Sequence, residues 1–493
     1  MSDVVIVGAG PTGLMLACEL RLAGARVVVL DRLARRGEES RAGGLHARTL
    51  EVFDQRGILD RVAARGRMVR AAHFSALWLD MSGSETRHPY LLGILQVELE
   101  RVLEARAAEL GVRVRWSSEV TGLDQDDTGV EVRLAGSAPL RARYLVGCDG
   151  GRSTVRKLAG IGFPGTDATM TALLGDVELT DPPGRMIFTE RRERGDYSVL
   201  DLENFSMGEL EGSSWYRVMV SEYDRVPDRN APVTLDALRE ALLRVAGTDF
   251  GMRAPRWLSR FGDTARQADR YRAGRVFLAG DAAHIHFPAG GQGLTLGLQD
   301  AVNLGWKLGQ AIRGEASGGL LDSYHDERHP VGERVLTNTR SQTALLRPGA
   351  HTGALREVLA GLIRIPEVNR HLVGMITALD VTYPMGEGHP LLGRRVPDLA
   401  LRVGGGATRV FELLRAARPV LLGLGEPGLA AVAERWWSRV DLVEASHRDQ
   451  EDSPPGALLI RPDGHVAWTP DGAEPLESAL TRWCGPAGEP VLG

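Results

Sequence analysis

Cysteine is scarce in this chain. Cys18, Cys148 and Cys484 are the only three among 493 residues, and no two of them form a CxxC pair. An odd, scattered set excludes a disulfide framework and a cysteine zinc site, and Cys18 and Cys148, in apolar surroundings, read as small buried residues. Basic charge is not in excess either. Lysine and arginine number 59 against 64 acidic residues, a net charge of −5, so no electrostatic case exists for a nucleic-acid partner. No apolar run approaches the roughly 20 residues that cross a bilayer, and no membrane association is expected. From Met1 the chain passes almost at once into the apolar "VVIVGAG", with no basic leader or cleavage site, which makes a cytoplasmic protein the expectation. Internal repeats and low-complexity segments are missing as well. What is present is ordinary for a soluble enzyme: 43% hydrophobic and 25% charged residues, in a chain long enough for about two to four domains.

The start of the chain reads as one βαβ unit. "VVIV" is a β-branched run suited to a buried parallel strand, "GAGPTG" is a turn, and Leu14 to Leu22 repeat apolar residues at helical spacing. Gly24 ends that helix, and "RVVVL" is a second buried strand closed by Asp31. Residues 42–70 pattern as helix, with Leu50, Phe53, Ile58 and Leu59 on one side. Gln96 opens a long amphipathic helix with Leu99, Val102, Leu103 and Leu110 inward. From about residue 170 to 262, short alternating pieces such as "SVLDLE" and "WYRVMVSEY" read as an antiparallel sheet. Buried-strand character returns in "GRVFLAGD", and helical patterning continues to about residue 380. Proline and glycine then cluster in "HPLLGRRVPDL" (389–399), which marks a boundary.

Three loops carry chemistry. In "GAGPTG", Gly8, Gly10 and Gly13 stand at GxGxxG spacing between strand and helix, with Asp31 eighteen residues beyond Gly13. That context is the dinucleotide fingerprint: Gly8 allows the tight turn, Gly10 admits a pyrophosphate, Gly13 lets helix and strand pack closely, and Asp31 accepts from a ribose hydroxyl. In "YLVGCDGGRSTVR" (144–156), a buried run delivers Asp149 to a Gly-Gly turn with Arg152 and Arg156 behind it; aspartate is also a common turn residue. In "AGDAAHIHFPAGGQG" (279–293), Asp281 ends a buried strand, and Gly290, Gly291 and Gly293 precede a helix whose first N–H groups are free to meet an anion. The spacing of Asp281, His284 and His286 admits a metal or an acid–base histidine as well as a cradle for a phosphorylated cofactor. A metal needs further ligands, and no other His, Asp or Glu cluster has suitable spacing, so none is expected.

With these loops in this order and at these separations, the chain resembles the class A flavoprotein monooxygenases, the p-hydroxybenzoate hydroxylase type. Among them it is most similar to the aromatic polyketide hydroxylases of tetracycline and angucycline pathways. The likeness runs the full length, through "ELRLAGARVVVLDR", "ARTLEVFDQRGILDR", "LLDSYHDERHPVG" and "ALLIRPDGHVAW". It implies an α/β fold: a Rossmann-like FAD-binding domain over 1–175 and 263–390, with a substrate-binding β-sheet domain inserted over 176–262 (with roughly 71–96). A thioredoxin-like domain over 391–493 completes it, expected to be structural because it lacks a CxxC. Carried over residue by residue, the resemblance assigns Gly8, Gly10, Thr12, Gly13, Asp31 and Arg32 to the ADP half of FAD. Arg41 falls at the pyrophosphate, Gln96 near the flavin and the Val120 backbone at the adenine. Asp281 matches the residue that holds the ribityl chain, and Pro288, Gly291, Gln292, Gly293, Leu294 and Thr295 run under the isoalloxazine. Asp149 serves both FAD and visiting NADPH. Apart from Gly423, Gly425 and Gly428 in the last hundred residues, no second GxGxxG occurs, in keeping with a nicotinamide that visits an open groove. Ala282 stands where the family often has serine, and Thr295 where it often has asparagine. The second departure matters if the side chain, rather than the backbone, orients the flavin.

The resemblance further implies an FAD-dependent, NADPH-consuming hydroxylase that uses O2 on an aromatic polyketide in antibiotic biosynthesis, as a monomer or homodimer. "TRHPYLLGILQ" (86–96) is more similar to the tetracycline type, so a tetracyclic, anhydrotetracycline-like phenol is the expected substrate. Phenolic rings are already activated, and no dedicated catalytic base is expected. His46 and Arg48 are the candidates to touch substrate, against a plain packed histidine and solvated arginine. Trp215, Met219 and Tyr223 are candidates to line the pocket, against a plain reading as core. Baeyer–Villiger oxygenation, oxidative inactivation of a polyketide antibiotic, and a non-catalytic flavin protein that sequesters an intermediate stand as alternatives.

Overall fold

In the computed structural model, which describes residues 2–37, 40–205, 215–223, 226, 231–447 and 454–488, the chain's opening βαβ unit builds the centre of a larger sheet. Strand Ser2–Val7 pairs in parallel with Val27–Leu30 on one side and Ser137–Gly147 on the other. Val276–Leu278 and Val114–Arg115 extend the parallel path outward. Val4, Val5, Ile6, Leu145, Val146 and Phe277 are fully buried, as β-branched and apolar residues must be in a sheet covered on both faces. Helix Pro11–Leu22 packs against the long helix Gln292–Arg313.

The predicted helix over 42–70 is interrupted. Gly44–Leu45 is a short strand paired to Leu91–Gly93, which also pairs Arg67–Val69. Only Ala47–Gln55 and Leu59–Ala63 are helical. The chain turns between them at Gly57, whose φ of 65° a helix cannot hold.

A second sheet has five antiparallel strands in the order Ile187–Arg192, Gly195–Asp201, Trp215–Tyr223, Met170–Glu178, Arg253–Gly262. Helix Leu235–Ala246 covers one face, burying Leu238, Leu242 and Val245 against Val177, Val199, Val218 and Val220. The sheet begins at Met170 rather than at 176, because that strand pairs along its length with both neighbours. Residues 71–96 do not join it. The hairpin Ala72–Phe74/Leu77–Leu79 packs instead on helix Pro366–Thr377, where Phe74 and Leu79 share a core with Leu372 and Val373.

Beyond residue 400 the chain forms a four-stranded sheet in the order Asp441–Glu444, Val420–Gly423, Ala457–Ile460, Val466–Trp468. The first two strands are parallel and the others antiparallel. Buried charge joins this region to the first sheet's helices. Glu327 takes Lys307 at 2.9 Å and Arg461 at 2.7 Å, and Arg461 also holds Asp463 through Nε at 3.1 Å. Arg56, paired with Glu19 at 2.7 Å, donates to the Leu414 and Pro462 carbonyls. Among the described residues no helix is long and apolar enough to cross a membrane.

Candidate active site

The three chemistry-bearing loops leave the carboxyl ends of adjacent parallel strands: Gly8 follows Val7, Asp149 follows Gly147 and Asp281 follows Leu278. Asp31 follows Leu30 on the next strand. Ligands of open parallel sheets bind at such a rim, where the connections diverge to the two sides.

The first loop is tight by necessity. A Cβ on Gly13 would lie 2.0 Å from the Gly8 carbonyl oxygen, so helix and strand meet only because it is absent. Gly10 is the opposite case: a Cβ there would meet nothing within 4 Å, leaving open space over the helix N-terminus. That end has no side-chain cap and no acid in its first turn, so its free amides and partial positive charge are available to an anion. Thr12 turns its hydroxyl inward against Gly280 and Gly297. Asp31 accepts from Ala9 and Leu33 N–H, each at 2.9 Å, and Arg32 beside it is exposed.

Asp149 is largely committed to its own turn. Its carboxylate accepts from Ser153 Oγ at 2.5 Å, Thr154 N at 2.7 Å and Val155 N at 3.1 Å, capping the short helix that follows. Arg156, one turn on, donates to Gly151 O at 3.0 Å and Ala282 O at 2.8 Å. The second loop thereby steadies the third.

Asp281 is exposed, and its carboxylate makes no hydrogen bond to the protein. Its loop is held from behind by Asp300, which no sequence motif singled out. Asp300 Oδ2 accepts from Gly280 N at 3.1 Å and His284 Nε2 at 2.6 Å, and Oδ1 from Arg328 Nε at 2.7 Å. Burial by itself would raise this carboxyl, but Arg328 and His284 outweigh it and hold it below the ordinary range. The one visible signal was a carboxylate inside a helix whose neighbouring residues, Leu296, Leu298, Ala301 and Val302, are all buried. The apparent metal triad does not converge. His284 is spent on Asp300, and His286 bonds the Phe287 carbonyl at 2.7 Å. Among the described residues no group of three or more His, Cys, Asp and Glu is placed to hold a metal.

His46 and Arg48 serve the framework rather than an open pocket. His46 is buried and donates from Nε2 to Gly290 O at 2.6 Å, fixing the glycine turn where Gly290 and Gly291 hold φ of 70° and 67°. Burial lowers its imidazole from 6.5 to about 4, so the folded protein binds fewer protons than the unfolded chain between those values. Stability should fall as pH drops from 6.5 to 4, by about 3 kcal/mol for this group. His465, also lowered to about 4 by burial, acts in the same sense. In melting curves across this window, His46→Gln should therefore lose part of the slope, not all of it. Arg48 departs further from expectation: its guanidinium is buried on Glu51 at 3.1 Å and on the Asp463 carbonyl at 2.7 Å. Gln292 turns to Asn338 at 3.2 Å, and Thr295 is buried facing Gln299, Val335 and Ile376. Both can serve a ligand at this loop through backbone alone. Helix Gln292–Arg313 starts at Gly291 with no side-chain cap and no acid in its first turn. Pro288 and Gly291 are exposed, with Gly293 and Leu294 partly so.

Gln96 latches the Arg41 loop: its N–H donates to Ala42 O at 3.1 Å and its Oε1 accepts from Ala42 N at 3.2 Å. Arg217, paired with Asp176, donates to the Arg41 carbonyl at 3.2 Å. Val120 is buried at the start of strand Val120–Gln125. Of the candidates on the five-stranded sheet, Tyr223 donates to Asp196 at 2.5 Å and Trp215 packs with Leu95, Val97 and Leu202, while Met219 is half-buried.

Two family models match: an FAD binding domain over residues 1–339 and the C-terminal domain of aromatic-ring hydroxylases over 389–487. The chain belongs to the class A flavoprotein monooxygenases. It is similar to a Streptomyces rimosus subsp. rimosus enzyme named 12-dehydrotetracycline 5-monooxygenase/anhydrotetracycline 6-monooxygenase, with 51% identity over 98% of this chain and 99% of that one. A rifampicin monooxygenase of Streptomyces venezuelae is 47% identical over 99% of both chains. The solved anhydrotetracycline hydroxylase of Streptomyces rimosus superposes with a TM-score of 0.92 at 49% identity, covering 99% of this chain and 100% of that one. Within its family this FAD-binding monooxygenase is thus similar, over nearly its whole length, to enzymes named for oxygenating tetracycline precursors and rifampicin.

The rim of the monooxygenase fits FAD. Thr12 lies against both Gly280 and Gly297, so two uncapped helix N-termini flank one groove, with Gly10 leaving space between backbone and ligand. The exposed, unbonded Asp281 carboxylate suits hydroxyl donors. If Asp281 holds the ribityl chain, Asp281→Ala should weaken FAD binding about ten- to a hundredfold. The melting temperature of the apoprotein should stay as in the wild type, since no protein contact is lost. Equal FAD affinity in fluorescence titration would remove Asp281 from the site.

Proposed function

We propose that this monooxygenase hydroxylates a linear, tetracyclic phenol resembling anhydrotetracycline. The observation that carries this substrate is the 51% identity, over nearly the whole of both chains, to the dehydrotetracycline and anhydrotetracycline monooxygenase. FAD, when bound, takes electrons from NADPH and activates O2. In this reading Gly10, Thr12 and Gly13 meet the pyrophosphate through backbone amides, with Arg41 beside them. Asp31 and Arg32 face the adenosine ribose, Val120 the adenine, and Asp281 the ribityl chain. Pro288, Gly291, Gly293 and Leu294 lie along the isoalloxazine, while Gln292 and Thr295 contribute backbone only. Asp149 acts as a positioning residue, capping the turn that braces the Asp281 loop. The polar groups around the rim bind and orient. His46, His284 and His286 are committed to loop contacts, which supports a site without a dedicated base.

The sheet order in the last hundred residues, two parallel strands joined through helix Leu429–Ala433, then two antiparallel ones followed by helix Leu476–Cys484, supports the thioredoxin-like reading of that domain. It carries Cys484 as its single cysteine, so we assign it a bracing role. A cytoplasmic monomer or homodimer without nucleic-acid or membrane partners belongs to the same reading.

The test is a screen of tetracyclic phenols with the FAD-loaded enzyme, NADPH and labelled O2, read by mass. One labelled oxygen in a ring hydroxyl, coupled to NADPH consumption, is expected. A labelled lactone would replace hydroxylation with Baeyer–Villiger chemistry, and flavin that NADPH cannot bleach would replace it with a non-redox role. The likeness to a rifampicin monooxygenase favours one second reading, oxidative inactivation of an antibiotic. Resistance conferred on a susceptible host would establish it in place of the first.

A further inference from the structure

A hairpin turn of polar residues normally lies in water, which hydrates its charges and its backbone groups. The turn Arg461–His465, between strands Ala457–Ile460 and Val466–Trp468, does the opposite. All five of its residues are buried, and three of them are ionisable. They are spent on two separate supports in the first domain, and each support ends at a different loop of the cofactor rim.

The first support is helix Ala47–Gln55. Its N-cap, His46, holds the Gly290 carbonyl at 2.6 Å. Near the start of the helix Arg48 donates to the Asp463 carbonyl at 2.7 Å, and just past its end Arg56 donates to the Pro462 carbonyl, also at 2.7 Å. Successive carbonyls of the turn thus grip the helix at both ends. Between them Gln55 lies so close that a Cβ on Gly464, whose φ is 76°, would meet its amide at 2.7 Å.

The second support is Tyr383. His465 rests on its ring with centroids 4.3 Å apart, and the Arg461 guanidinium lies 5.3 Å from the ring centre. The Tyr383 hydroxyl accepts from Arg328 at 3.2 Å, Arg328 holds Asp300 at 2.7 Å, and Asp300 accepts from Gly280 N at 3.1 Å. Every side chain on either path is at most 4% exposed. Water therefore cannot replace a lost partner, and a shift at the turn is passed on rather than absorbed.

We infer that the turn Arg461–His465 is a positioning element for the flavin: seated in the first domain, it sets the loops at 280–281 and 290–291 in the shape that takes FAD, with Arg48 and His465 as positioning residues. This rests on the reading that those loops hold FAD. The last domain then supplies part of the cofactor site's rigidity, beyond adding to the stability of the whole.

Coupling between two sites is reciprocal, so FAD must steady the turn as the turn steadies the loops. Hydrogen–deuterium exchange on the full wild-type chain, with and without saturating FAD, tests this free of any substitution. Exchange over 279–295 should slow on adding FAD. Exchange over 461–466 should slow with it, by at least about fivefold more than in the edge strand Asp441–Glu444 of the same domain. Slowed loops with a turn that behaves like the edge strand overturn the proposal and keep the FAD reading. Loops that do not slow remove the FAD reading, and the proposal with it. In fluorescence titration, His465→Ala and Arg48→Met should each raise the Kd for FAD about three- to thirtyfold. His465→Phe, which returns a ring to Tyr383, should recover most of that loss. Leu422→Ala, a truncation in the last domain's own core, should melt lower yet bind FAD as the wild type does. A Leu422→Ala protein as weak for FAD as His465→Ala would reduce the turn to plain stability and overturn the proposal, as would wild-type affinity in either His465→Ala or Arg48→Met.

Discussion

Replacing Asp300 by alanine is expected to cost about 3–5 kcal/mol of stability and to yield protein that purifies without flavin. The carboxylate is fully buried and gathers one backbone amide, one histidine and one arginine. Its removal strands Arg328, itself with no exposed surface, on the Tyr383 hydroxyl and the Leu296 carbonyl. An unpaired buried cation is the costly product of such a deletion, more than the lost attraction itself. The same deletion frees Gly280, the residue before Asp281, so the loss should reach the cofactor. Asp300→Asn keeps an acceptor for the amide but not the charge, and should fall between. Arg328→Met added to Asp300→Ala should recover part of the stability, because both charges are then gone. Urea unfolding, with the flavin-to-protein absorbance ratio of each variant, checks this. An Asp300→Ala protein that melts like wild type and stays yellow would sink the account. The contrast with Asp281→Ala is informative: one residue is expected to weaken FAD binding without touching stability, the other to damage both.

Glu327→Ala should cost a similar amount, about 3–5 kcal/mol, at the junction with the last domain. Glu327 is the carboxylate shared by Lys307 and Arg461, both buried. Burial pushes Glu327 up, but Arg461 and Lys307 prevail and hold it at about 2 against an ordinary 4.5. A carboxyl depressed in the folded state stabilises fully above its unfolded value. That contribution is lost as pH falls from about 4.5 to about 2. Lys307, for its part, is pushed down to about 8 by burial, with Arg461 adding to the effect against the pull of Glu327. Without Glu327 the lysine should shed its proton near neutrality, while Arg461 keeps Asp463. Glu327→Gln should be nearly as damaging, since an amide oxygen does not neutralise two cations. Urea unfolding at pH 7 and at pH 3 checks both statements: the gap between wild type and Glu327→Gln should narrow at the lower pH. A gap that stays constant would show that the charge does not matter.

Much of this protein was legible along the chain because the relevant physics is short-ranged. A Gly13 with no room for a Cβ, an open Gly10 and an uncapped helix start all follow from a few consecutive residues in a strand–turn–helix. The same holds for the glycine turn at 290–291, so a dinucleotide site and the three loops could be read before any coordinates, while FAD itself was implied by the family those loops resemble. The error over residues 42–70 was of another kind. Apolar spacing there fits a helix, but Gly44–Leu45 and Arg67–Val69 found a partner in Leu91–Gly93, and pairing at that distance overrides local pattern.

By itself, the sequence determined a dinucleotide-binding βαβ unit, since glycine spacing and strand-end acids are local constraints on backbone shape, and the resemblance carried by its three loops implied a flavin monooxygenase of the aromatic hydroxylase type. Tertiary structure alone decided what each polar side chain does. Arg48 finds its acceptor 415 residues away at Asp463, His46 reaches Gly290 across 244, and Asp300 becomes a counter-ion only when Arg328 is packed beside it. Such assignments depend on which groups lose water together, and burial is a property of the folded whole.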